Sequence, residues 1–187
     1  MAAISARVVE EFCGLCNSAY QASLVHRTLF DENVAADRIC ASAMGHGYGK
    51  LSEITQEHAL LQIAKLHDPA VMGGKITLGI NYVLTYGGWN FETQGKLAGL
   101  AIQLDGFAKQ LKAARNQTLA HNDLAAVLAG GTLGAFAQDE DQKYFCVLAE
   151  FAELVSREVL GHGFSYERHV GIGISALAAT LSNAVDA

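Results

Sequence analysis

An all-α fold is predicted by three features of this 187-residue sequence. Its apolar residues recur at steps of three and four, not in strict alternation, which is the period of a helix with one buried face. Its glycines gather in the clusters Gly45/Gly47/Gly49, Gly73/Gly74, Gly87/Gly88, Gly130/Gly131/Gly134 and Gly161/Gly163, and Pro69 is its one proline, so the punctuation falls between those stretches. No stretch reads as a convincing strand. Short separators between successive helices favour an up-and-down bundle. With no repeat, linker or low-complexity tract, residues 1–187 are read as a single domain.

Helices are predicted at 4–30, 32–44, 52–66, 76–86, 91–122, 140–160 and 168–184. The first two run up to the Gly45/Gly47/Gly49 cluster, and GHGYGK (45–50) is read as a flexible connector. It has the glycines of a phosphate-binding loop but the wrong spacing, no preceding strand, and Leu51 after the lysine. Ser52 is placed to cap the third helix, and Pro69 forbids its continuation beyond His67 and Asp68. The fourth lies between Gly73/Gly74 and Gly87/Gly88. Asn90 is placed to cap the long fifth helix, where Gly95, Gly99 and Gly106 each cost about 1 kcal/mol relative to alanine and so suggest close helix approach. Asp139 with Gln142 forms a capping-box-like start to the sixth, and the acids Asp139 to Asp141 suit the positive end of its dipole. The seventh carries a weakly polar run, Val170 to Val185, shorter than the roughly 20 residues a spanning helix needs and interrupted by Ser175, Thr180, Ser182 and Asn183. No membrane segment is expected.

Composition bounds the function. A chain 51% hydrophobic and 17% charged is neither disordered nor fibrous, and part of its apolar surface is available for a subunit interface. The net charge of −6, from 13 basic and 19 acidic residues, argues against a broad nucleic-acid-binding surface, so any RNA contact must be local. Cys13, Cys16, Cys40 and Cys146 have no regular disulfide spacing and no secretory leader precedes them, which points to a reducing cytoplasm. Cys13 and Cys16 form a C-x-x-C inside a predicted helix and read as small buried thiols. The seven histidines show no zinc-protease spacing, and neither a metal nor another cofactor is expected. Tyr20, Phe30, Tyr82, Tyr86, Trp89 and Phe91 lack interleaved basic residues and read as core or dimer-interface groups.

Chemistry concentrates at the end of the fifth helix. Leu97, Ala101, Leu104, Ala108 and Leu111 make a core-facing row, with Leu100, Phe107 and Ala114 beside it. The same steps then reach Arg115, Thr118 and Asn122 on the first row, and Thr118 and His121 on the second. A buried face that turns polar calls for a partner, because an unpaired buried charge is costly. Arg115 and His121 are separated by about 120° on an ideal helix, with Thr118 between them. From Gly106 to Asn122 the chain carries Lys109, Lys112 and Arg115 and no acid, a basic window in an acidic chain. A structural reading also fits the spacing: Arg115 paired with Asp105 or Asp123, and His121 bonded to a carbonyl at a fraying helix end.

The segment ARNQTLAHND (114–123) resembles the Arg, polar residue, four more, His signature of the HEPN superfamily. Upstream, LFDENVAADRICASAMGHGYGKLSEITQEHALLQIAKLHDP (29–69) and GGKITLGINYVL (73–84) resemble its abortive-infection U-type group, with agreement of order and spacing over roughly 19–123. The resemblance implies an HEPN-like helical bundle with additional helices, dimerised so that two Arg/His pairs line one cleft. The activity it implies is metal-independent RNA cleavage by a toxin or abortive-infection component of antiphage defence, with an antitoxin as a possible partner. Carried over, Arg115 neutralises the scissile phosphate, His121 serves as general acid or base, and Asn116 and Asp123 orient them, while Lys109 and Lys112 of the basic window contact RNA. The alternative is a non-catalytic HEPN domain that binds a nucleotide or a partner protein through the Arg115/His121 cleft.

Overall fold

The computed structural model describes residues 4–114, 140–167 and 169–185. It is almost wholly helical, as the apolar period predicts. The described residues form α1 (Ala6–His26), α2 (Ala36–Ala41), α3 (Gly45–Leu66), α4 (Ile80–Tyr86), α5 (Phe91–Ala114), α6 (Glu140–Leu160) and α7 (His169–Val185).

Ser5 caps α1, its hydroxyl accepting from the Val8 amide at 3.4 Å. The helix buries Val9, Phe12, Cys16, Ala19 and Ser23, a stripe of alternating threes and fours. It passes without a break into a π-helical segment, Arg27–Asp31, that closes with Glu32 N–H donating to Arg27 C=O at 2.8 Å. On α6, Tyr144, Phe145, Leu148, Phe151, Ala152, Val155 and Ser156 are buried. α1, α3, α5 and α6 pack on one another, and their buried faces, with Ile80 and Val83 of α4, make one core. Near its centre Phe12 meets Phe151 edge to face, with ring centroids 5.8 Å apart.

A smaller cluster of Ala35, Ile39 and Tyr48 lies beside the π-helical segment and is flanked by Phe30 and by Leu181 and Val185 of α7. Although α7 is rich in apolar residues, none of its side chains is fully buried, and Ile172 is 71% exposed. No helix among the described residues is long and apolar enough to cross a membrane.

Four local expectations need correction. GHGYGK is no connector: it forms the first turns of α3, so Ser52 lies inside the helix and caps nothing. Tyr48 holds it there, buried, with its hydroxyl donating to the Leu29 carbonyl and accepting from Asn33 Nδ2 at 3.3 Å. The second predicted helix shrinks to Ala36–Ala41, because Asn33 makes a turn by accepting the Ala35 amide at 3.0 Å. A strand pair exists, β1 (Val71–Met72) antiparallel to β2 (Lys75–Ile76), with Val71 opposite Ile76 and Met72 opposite Lys75. Gly73 and Gly74 link them with φ of 56° and 77°, the left-handed conformations a two-residue hairpin loop requires, so α4 begins only at Ile80. Gly95, Gly99 and Gly106 of α5 face outward with no heavy atom within 4 Å of an added Cβ, so they mark no close helix contact.

Candidate functional site

The predicted site belongs to α5, and the described part of that helix matches its expected face. Asn90 caps it, with Oδ1 accepting the Thr93 amide at 2.9 Å. Thr93, Leu97, Ala101, Leu104 and Ala108 are buried along one row, and Leu100 and Phe107 are half-buried beside it. Lys109 is exposed, as a contact to a nucleic-acid backbone requires. Lys112 falls on α5, but its side chain lies outside the described residues. Arg115, Asn116, His121 and Asp123 also lie outside the described residues; Arg115 follows Ala114, the last described residue of α5, in the chain.

On α5 itself the structure reveals a polar constellation that the sequence does not announce. His67, at the C-terminal end of α3, has a side chain only 1% exposed. Its Nδ1 is 3.0 Å from Oδ1 of Asp105 on α5, and its Nε2 is 3.0 Å from the hydroxyl of Tyr144 on α6. Burial pushes the Tyr144 phenol well above its ordinary range, and the nearby Cys16 and Asp105 add to the rise, so the phenol keeps its proton. The Asp105 carboxylate can only accept, so Nδ1–H donates to it, and in the neutral imidazole Nε2 is then left to accept from the Tyr144 hydroxyl; the hydrogen-bond network assigns the tautomer. Asp105, with a side chain 47% exposed, carries the chain of bonds out to solvent. Of the two acids open to Arg115 on spacing grounds, Asp105 thus bonds His67. His67, Asp105 and Tyr144 are far apart in sequence, and no local motif joins them.

A separate cavity of about 430 Å³ opens between α1, α3 and α7 and is lined by Ser18, Gln21, Ala22, Val25, Ile54, Thr55, His58 and Val170. Several of its polar atoms have partners within the fold. The Ser18 hydroxyl donates to Gly14 C=O at 2.9 Å, the Gln21 amide to Glu167 at 3.3 Å, and Thr55 Oγ1 to Leu51 C=O at 3.0 Å while facing His26 Nδ1 at 2.9 Å. Its lining holds no lysine or arginine, and His58 is its one titratable side chain. Arg27 is no anion site either, since it sits between Glu32 at 3.1 Å and Asp141 at 3.5 Å.

The C-x-x-C thiols are inert in this setting. Burial raises Cys13 to about 11 and Cys16 well above its ordinary value, which suppresses the thiolate that metal binding or redox exchange requires. Of the aromatic residues read as core or interface groups, Tyr20, Tyr82 and Trp89 pack against the main core and Phe30 against the smaller cluster, whereas Phe91 is 97% exposed.

Comparison with known proteins gives one family. The model of the HEPN_AbiU2 family (AbiU2) matches residues 5–172, which extends the region of resemblance in both directions and spans Arg115 to Asp123. No curated protein matches the chain, and no solved structure matches it.

Proposed function

The chain belongs to the HEPN_AbiU2 family, and from that premise we propose that it is a metal-independent endoribonuclease acting as the toxic or abortive component of an antiphage defence system. The observation that carries this reading is the family match across the segment that holds the Arg115–His121 signature. The buried row of α5 and the exposed Lys109 support it, because an apolar helix with an exposed lysine near its described end precedes that segment in the chain.

In this mechanism the His121 imidazole takes the proton of a ribose 2'-hydroxyl. The O2' then forms a bond to phosphorus while the bond to the 5' oxygen breaks, and that oxygen leaves with a proton supplied by the protonated imidazole of the second copy's His121. A 2',3'-cyclic phosphate and a 5'-hydroxyl result. Arg115 meets the nonbridging phosphate oxygens with its planar fork, stabilising the added charge of the transition state. Asn116 and Asp123 orient this pair, Lys109 and Lys112 hold the flanking RNA backbone, and a second copy of the chain completes the cleft. Histidine suits the acid–base role because its ordinary pKa, about 6.5, lets it exchange a proton near neutrality.

The test is incubation of the protein with a mixed RNA pool in EDTA beside Arg115→Ala and His121→Ala variants. Fragments ending in 2',3'-cyclic phosphate from the wild type alone support the mechanism. Full cleavage by His121→Ala, or none by folded dimeric wild type, overturns it; the second result favours the non-catalytic domain that holds a nucleotide or a partner protein.

A further inference from the structure

We infer that the cavity between α1, α3 and α7 is a binding site for a small organic cation, an amine with an apolar body, whose charge Glu167 receives at the rim. The inference does not depend on the nuclease reading.

Two helices that pack side by side make the walls. Ser18, Gln21, Ala22 and Val25 form one stripe of α1 at steps of three and four, and Ile54, Thr55 and His58 face them from α3. Ser18 and Ala22 are small, which leaves the groove between the helices open. The first turn of α7 closes it. Gly171 brings α7 against α1, where an added Cβ would lie 3.1 Å from Leu24 Cδ2, and the neighbouring Val170 reaches the cavity. The enclosed space of about 430 Å³ falls within the range of small-molecule sites, roughly 300–1,000 Å³.

The lining selects the body of the ligand. Ala22, Val25, Ile54 and Val170 offer apolar surface, and Ile54 is 52% exposed, so an apolar group seated there removes from water a surface that the fold itself leaves wet. α7 gains as well, since none of its side chains is fully buried. The polar atoms favour a donor. Ser18 and Thr55 give their hydroxyl protons to the Gly14 and Leu51 carbonyls, so their oxygens have only lone pairs to offer.

Charge makes the same choice. Glu167, between α6 and α7, is pinned beside the cavity: its backbone N–H donates to Asn17 Oδ1 at 3.0 Å, and its Oε2 accepts from the amide of Gln21, a lining residue, at 3.3 Å. Its Oε1 has no partner among the described residues. No lysine or arginine lines the cavity to answer that carboxylate, and the net charge of −6 adds a field of the same sign. An anion is repelled, whereas an ammonium group meets a carboxylate and hydroxyl lone pairs above apolar walls.

Three probes that share an indole ring and differ in charge test this: tryptamine, tryptophol and indole-3-acetate, titrated calorimetrically into the full chain at one ionic strength. Tryptamine should bind about three- to fivefold more tightly than tryptophol, and indole-3-acetate more weakly than either. Glu167→Gln keeps an oxygen for the Gln21 amide and should erase this order while leaving tryptophol unchanged. Ala22→Phe fills the cavity and should abolish binding of all three; should it fail to fold, Ile54→Trp fills the cavity from a half-exposed position. Bound tryptamine should also slow amide hydrogen exchange in the first turn of α7 relative to α4. Equal affinities for the three probes, an order that survives Glu167→Gln, or binding that survives the filling variant overturns the inference, as does a folded wild type that binds no tryptamine.

Discussion

Three glycines within five residues, Gly45, Gly47 and Gly49, should respond to alanine with opposite signs if α3 begins where the structure begins it. Gly47 and Gly49 lie inside the helix with no heavy atom within 4 Å of an added Cβ. Alanine there restricts the unfolded chain and touches nothing, so each substitution should stabilise by about 0.5–1 kcal/mol. For a chain of this length that is a rise in Tm of roughly 2–8 °C for the double variant. Gly45 differs because a Cβ would overlap the Cys40 carbonyl oxygen and lie 2.8 Å from its carbon. Backbone cannot rotate aside as a side chain can, and Gly45 is the first residue of the helix, where propensity returns little. Gly45→Ala should therefore destabilise by about 1–3 kcal/mol, the usual range for overpacking. Urea unfolding followed by far-ultraviolet circular dichroism reads all three, with the slope m constant and the midpoint moving. A stabilised or neutral Gly45→Ala, or destabilised Gly47→Ala and Gly49→Ala, would mean that GHGYGK is a connector after all.

Other outcomes follow from side chains in known surroundings. Burial lowers the His26 pKa, an effect that outweighs the opposing pull of Asp31, so below about pH 6.5 the unfolded chain takes up a proton that the folded chain resists. Stability should fall as pH drops from that point until the folded imidazole itself titrates, and His26→Gln should flatten this part of a plot of urea midpoint against pH. Alkylation of the native protein near pH 8 should label the exposed Cys40 and Cys146 while Cys13 and Cys16 react only after unfolding, as peptide mapping by mass spectrometry would show. In the His121→Ala background, Lys109→Ala should weaken single-stranded RNA binding alike for all sequences and reduce the salt slope by about 0.7, the value for one phosphate contact. An unchanged slope would remove Lys109 from the RNA surface.

Helices whose burial repeats at steps of three and four were legible in the sequence. α6 ends at Leu160, where the apolar pattern places its end, while the predicted cap Asp139 lies outside the described residues; the capping of α5 by Asn90 needed nothing beyond the local chain. Two of the misreadings concern glycine. Gly45, Gly47 and Gly49 are tolerated in α3 because Tyr48 between them is tied to Leu29 and Asn33, contacts that no local window contains. The Gly73/Gly74 hairpin was missed for the opposite reason, since two-residue strands are too short to show alternation although the paired glycines are themselves a hairpin signal. As for the candidate site, Arg115 and His121 were singled out because polarity breaks an apolar row, which is a one-dimensional signal, and both lie outside the described residues.

The sequence by itself determined the helical class, the apolar row of α5, the basic window and the family signature, because each is written in the spacing of neighbouring residues. Tertiary structure alone decided that His67 meets Asp105 and Tyr144, pairings that span 38 and 77 residues. It also decided that α7, apolar in composition, packs without one fully buried side chain. Periodicity tells a helix which of its faces to bury but not against what, and hydrogen-bond partners on three different helices exist only once those helices have docked.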